Sequence, residues 1–89
     1  MNRDELEFTL LNGQMCKQIC DYINEDMVGK YVEIFRDKPT VGKLTMRESF
    51  FGTSMYKFEA PTMWCYVFPY DRIRILEEEE VIIWRITNE

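Results

Sequence analysis

Residues 63–70, Met-Trp-Cys-Tyr-Val-Phe-Pro-Tyr, run for eight positions without a charge. In an extended strand successive side chains point to opposite faces. Trp64, Tyr66 and Phe68 then share one face, while Met63, Cys65 and Val67 share the other. A strand apolar on both faces needs cover on both. A chain of 89 residues builds one core, near the size at which folding alone becomes marginal. The second face is therefore expected to meet a partner or another copy of the chain. Interaction, rather than catalysis, is the leading expectation.

The rest of the composition narrows the class. At 46% apolar and 15% aromatic, the chain is too rich in core formers to be disordered. Three prolines and four glycines leave no linker, so residues 1–89 read as one domain. The formal net charge of −5 argues against general nucleic-acid binding, which needs clustered cations to displace counterions from phosphate. The densest basic pair is Arg72 and Arg74. Acidity favours solubility or attraction to a basic protein surface. Cys16, Cys20 and Cys65 make an odd count without a disulfide framework. The charged N-terminus has no signal-peptide core, and no window reaches membrane-spanning length. The expectation is a reduced, cytoplasmic protein that does not enter a membrane.

Along the chain, Leu6, Phe8 and Leu10 alternate like a strand, although Asp4 equally suits the cap of a helix ending at Gly13. From Asn12 the spacing of Met15 or Cys16, Ile19, Cys20 and Ile23 predicts an amphipathic helix over about 14–26. After Gly29 the period becomes two. Strands are predicted over 30–36, 41–47, 51–59 and the aromatic stretch, with turns at Asp37-Lys38-Pro39-Thr40 and Ala60-Pro61-Thr62. Gly42 marks a bulge or sharp bend. A last hairpin is predicted from 72–76 and 81–86, with Glu77, Glu78, Glu79 and Glu80 as its loop.

Catalytic chemistry is thinly provided. There is no histidine, the commonest general base and metal ligand. No Cys-x-x-Cys pair, Gly-x-Ser-x-Gly elbow or glycine-rich phosphate loop occurs. The three cysteines read as small core residues, and Glu33, Glu48 and Glu59 are the carboxylates whose strands would have to converge for acid–base work. No cofactor, metal site or enzymatic activity is expected.

Two constellations remain. Trp64, Tyr66 and Phe68 face Tyr56 and Phe58 across a hairpin turning at Pro61, either as core or as an exposed platform. Exposed rings would suit a protein contact, since interface hot spots favour Trp, Tyr and Arg. They would equally stack bases, with Arg72, Arg74, Lys43 or Lys57 supplying charge. The run Glu77 to Glu80 is either a solvated turn or an acidic finger for a basic partner.

Residues 28–45, Val-Gly-Lys-Tyr-Val-Glu-Ile-Phe-Arg-Asp-Lys-Pro-Thr-Val-Gly-Lys-Leu-Thr, resemble the opening of an Sm-like or SH3-like small barrel. Gly-Lys-x-Val-x-Ile, a turn and Gly-x-Leu carry the resemblance, and Asp71 to Leu76 is similar to the short closing strands. It implies a barrel that tends to form rings. Where Sm-like proteins place the Asp and Asn that hold an RNA base, this chain has Met46-Arg47-Glu48-Ser49, and their late Arg-Gly or Lys-Gly step is missing. No RNA-binding residues carry over.

The expected fold is thus mainly β: a small, antiparallel, five-stranded SH3-like or Sm-like barrel with one N-terminal helix across an opening. Val32, Ile34, Leu44, Ile73, Ile75, Ile82 and Trp84 should form its core, covered by Ile19 and Ile23. The expected function is a non-enzymatic, self-associating interaction module, an inhibitor or adaptor of the phage or mobile-element kind that contacts a basic protein surface. The alternative is an oligomer that binds a nucleotide or single-stranded RNA on Tyr56, Trp64 or Tyr66, with Arg72 or Arg74 on phosphate.

Overall fold

The computed structural model describes residues 5–88 except 20, 37 and 70, with the side chains of 19 and 21 also outside the description. The alternation of Leu6 and Phe8 is resolved in favour of strand β1 (Glu5–Thr9), which pairs antiparallel with β2 (Met15–Ile19). The helix expected over 14–26 is not formed. Asn12 does accept a backbone amide, but that of Gln14, in a turn rather than at a helix N-cap. Gly13 takes φ +89 there, a left-handed value that costs glycine little. Helical spacing in this stretch lost to a partner strand that aligns Phe8 with Cys16 and buries Phe8 completely. Cys20 and the Ile19 side chain, both assigned to that helix, lie outside the described residues. The remainder of the segment is a two-residue strand β3 (Asp21–Tyr22) and one 3₁₀ turn (Glu25–Met27), capped by Asn24 through the Asp26 amide.

The main sheet is antiparallel throughout. Strands β4 (Tyr31–Phe35), β5 (Pro39–Phe50), β6 (Thr53–Glu59) and β7 (Trp64–Val67) follow one another as a meander. Strand β8 (Arg72–Ile75) returns to pair with β4, giving the order β3-β8-β4-β5-β6-β7. Between β7 and β8 the chain makes a single turn, in which the Asp71 amide donates to the Phe68 carbonyl at 2.8 Å. Such a turn brings its ends within about 7 Å. In a flat sheet the four intervening strand spacings would separate β7 from β8 by about 19 Å. The sheet must therefore curl strongly.

Two features permit the curl. The register slips between Leu44 and Met46, leaving Thr45 as an extra residue that bends β5. Gly42, opposite Val32, has no Cβ to collide with the Phe58 ring lying over it. The curl stops short of the expected closed barrel, because among the described residues no ladder joins β7 to β8 or β3. Side chains bridge the seam instead. Arg36 Nη2 donates to the Tyr66 carbonyl at 3.0 Å and to the Asp71 carboxylate at 3.2 Å, and Asp71 accepts from the Phe68 amide at 2.8 Å.

The concave face holds the core: Val32, Ile34, Leu44, Tyr56, Phe58, Val67 and Ile73, covered by Ile23 and Met27. Each such side chain contributes about 1.5–3 kcal/mol by leaving water. Four of the expected core residues are there, but Ile75 and Ile82 are exposed and Trp84 is only half-buried.

The last expected hairpin is replaced by the helix α1 (Glu78–Asn88), so the one α-helix is C-terminal rather than N-terminal. Residues 81–86 are β-branched enough to read as a strand, yet the glutamates before them start a helix. The Glu77 carbonyl accepts from the Val81 amide, and the Glu80 carboxylate reaches back to the Glu77 amide at 3.1 Å. That is half of a capping box, and carboxylates in the first turn complement the helix dipole. Of the like charges that suggested a solvated loop, Glu80 accepts the Glu77 amide, while Glu77, Glu78 and Glu79 remain exposed. No residue of α1 is buried, and it is no candidate to span a membrane.

Candidate interaction surface

The convex face of the sheet divides into a covered half and an open half. Period-two alternation in β4 and β8 places Glu33 and Arg74 opposite one another on this face. Arg74 Nε and Nη2 donate to Glu33 Oε1 at 3.1 and 2.9 Å, and Nη1 donates to Glu80 Oε1 at 2.7 Å. The pair is nearly sealed, with Glu33 1% and Arg74 4% exposed. The Phe8 ring lies 5.9 Å from the guanidinium, and the Thr9 amide donates to Glu33. One arginine thus ties the sheet to the N-terminal hairpin and to α1.

The electrostatics follow from that burial. Loss of water pushes Glu33 above the ordinary glutamate range, against the hydrogen bonds from Arg74 and Thr9. For Glu80 burial acts in the same sense, but the bonds from Arg74 and the Glu77 amide outweigh it and hold the carboxyl below its ordinary value. Burial disfavours the Arg74 cation, yet its two carboxylates more than compensate and raise its pKa. The group is a structural clamp in which one cation holds two carboxylates, with Glu80 Oε2 left buried and without a hydrogen-bond partner.

The open half lies over β5, β6 and β7. Register aligns Tyr31, Lys43, Glu59 and Trp64 across four strands. Trp84 of α1 packs on Tyr31 at one end, with centroids 5.0 Å apart. At the other end Trp64 is 59% exposed on edge strand β7. Its position is well defined: Tyr66 meets it edge to face at 5.6 Å, and the Lys57 ammonium sits 4.9 Å from its ring centre. The Tyr66 hydroxyl donates to Glu48 Oε2 at 2.9 Å, and this hydrogen bond raises the tyrosine pKa. Thr45 donates to Glu59 at 2.8 Å, and Lys57 lies 3.9 Å from the same carboxylate. The result is an aromatic ridge set in paired charges.

The candidate residues therefore separate. Tyr56 belongs to the core, and Trp64 and Tyr66 form the ridge. Arg74 is committed to the clamp, while Arg72 stands 5.8 Å from the Tyr22 ring at the opposite edge of the sheet. Glu77, Glu78 and Glu79 are exposed at the start of α1, and Glu80 is bound to Arg74. Of the three carboxylates considered for acid–base work, Glu33 holds Arg74 in the covered half, while Glu48 holds Tyr66 and Glu59 holds Thr45 in the open half. Two residues escaped notice, Phe50 and Phe51, which project from the β5–β6 hairpin. Comparisons with protein-family models, curated proteins and solved structures gave no match to this chain.

Proposed function

We propose that this protein is a non-enzymatic interaction module on a small SH3-like sheet, acting by stoichiometric binding of a protein partner through the ridge at Trp64. One observation carries the reading: a tryptophan exposed over half its surface on edge strand β7, packed against Tyr66 and Lys57. A pre-positioned aromatic loses little conformational freedom on binding, and such residues dominate interface energetics. Glu48 and Glu59 beside it, with the net charge of −5, favour a partner with a basic rim. The mode suits an inhibitor or adaptor. A nucleotide or single-stranded RNA stacked on Trp64 is the competing reading, and it lacks Arg74, whose cation is occupied by Glu33 and Glu80.

The test is affinity capture from cells of the source with wild-type and Trp64→Ala bait, followed by calorimetry on the captured protein. We expect Trp64→Ala to weaken binding by about thirtyfold at an unchanged unfolding midpoint. Capture indifferent to Trp64, or a nucleic-acid absorbance in the purified wild type that Trp64→Ala removes, refutes the protein-binding reading.

A further inference from the structure

We propose that the Phe50–Phe51 tip of the β5–β6 hairpin docks into the cleft between the β1–β2 hairpin and α1 of a second copy, joining copies head to tail. The tip contradicts what folding alone would favour. Phe50 pairs with Thr53, so Phe51 and Gly52 form a two-residue turn with φ +50 and +77. Turns with two positive φ values favour Asn, Asp or Gly at the first position. A phenylalanine there is strained, and it gains nothing by burial, because Phe51 is 93% and Phe50 58% exposed. The two rings meet edge to face at 4.5 Å, forming one apolar knob. Neither stability nor solubility accounts for it.

The same chain carries a receptor of matching size. The cleft holds about 340 Å³ and is walled by Leu10, Leu11 and Ile83, with Glu77 and Glu79 also lining it. An apolar cavity of about 150 Å³ takes one benzene ring, so both phenylalanine rings fit. Charge agrees with this occupant. Arg47, near the tip and half-exposed, pairs with Glu25 in a surface bridge weak enough to exchange for the cleft carboxylates. Knob and cleft are different surfaces, so the contact is heterologous and propagates to a ring or filament.

Sedimentation velocity over a concentration series tests this with the protein as its own ligand. Wild type should self-associate. Phe51→Asn should raise the dissociation constant by about thirtyfold while raising the unfolding midpoint, since it relieves the turn. Ile83→Lys, an exposed helix position four residues after Glu79, should also give monomers. Mixing the two variants should restore a one-to-one dimer and nothing larger, because each retains the surface the other lacks. A monomeric wild type, assembly insensitive to either variant, or no complementation overturns the proposal. So does Phe51-dependent binding of monomers to neutral phosphatidylcholine vesicles. Trp64→Ala should leave assembly intact, so failure here and failure of the ridge reading are separable.

Discussion

Arg74→Met offers the sharpest test of how this fold is held. The substitution keeps most of the aliphatic stem but removes the cation bound to Glu33 and Glu80. Glu33 is then an uncompensated carboxylate almost out of reach of water. Breaking a buried pair from one side costs about 3–5 kcal/mol. A chain of 89 residues has a total stability of about 4–13 kcal/mol, taking roughly 0.05–0.15 kcal/mol per residue. The variant should therefore sit close to its unfolding threshold, with a midpoint lowered by about 12–40 °C. Urea unfolding read by fluorescence of Trp64 and Trp84, with m-values compared, measures the loss directly. The double variant Glu33→Gln with Arg74→Met leaves an acceptor for the Thr9 amide and removes the stranded charge, and should regain about 2 kcal/mol or more. If Arg74→Met costs less than about 1 kcal/mol, as an exposed pair would, water reaches the clamp and the reasoning fails.

Two further outcomes follow from the same geometry. A Cβ at Gly42 would lie 2.5 Å from the Glu59 carbonyl oxygen and 2.6 Å from Phe58 Cζ, so Gly42→Ala should cost about 3 kcal/mol by overpacking. An unchanged urea midpoint would mean that β5 and β6 are not in this register. Because its folded-state pKa lies below the ordinary value of 4.5, Glu80 adds stability above that value and loses it as pH falls through the folded pKa. The stability gap between wild type and Glu80→Gln should be widest near neutrality and close in acid. Glu33, shifted the other way by burial, weakens the fold as pH rises above 4.5, and the Glu80 charge is the smallest cause of that shift, so Glu33 offsets only a small part of the difference. A gap independent of pH would mean that Glu80 is not ionised against Arg74.

The parts of the fold legible from sequence were those decided by neighbours along the chain. Val32 and Ile34 alternate with charged or larger residues, and that local period placed β4 and its core face correctly. The segment 15–19 illustrates the limit. Its apolar spacing fits a helix, but Leu6 and Phe8 supplied a strand needing a partner, and long-range pairing prevailed. Residues 77–86 failed in the opposite direction. Four glutamates and a β-branched run read as loop and strand until Glu80 is seen to cap Glu77 and to meet Arg74.

The candidate site divides along the same line. That the aromatic stretch exceeds what one small core can bury was a matter of residue count and alternation, which left open which face is wet; Trp64 is the ring that stands exposed. Which rings stayed outside was not. The aromatic stretch was expected to set Trp64 and Tyr66 on the face of Tyr56 and Phe58, but the register pairs Tyr66 with Lys57 and Trp64 with Glu59, so Tyr56 turns inward and Tyr66 stays on the ridge. Arg72 and Arg74 likewise read as a pair, yet the strand order puts Arg74 opposite Glu33 and leaves Arg72 beside Tyr22. Sequence determined strands β4 to β8, the net acidity and the surplus of aromatic residues, because these depend on composition and a local period of two. Tertiary structure decided the open seam, the buried clamp and the exposed tip, because each depends on which distant strands become neighbours.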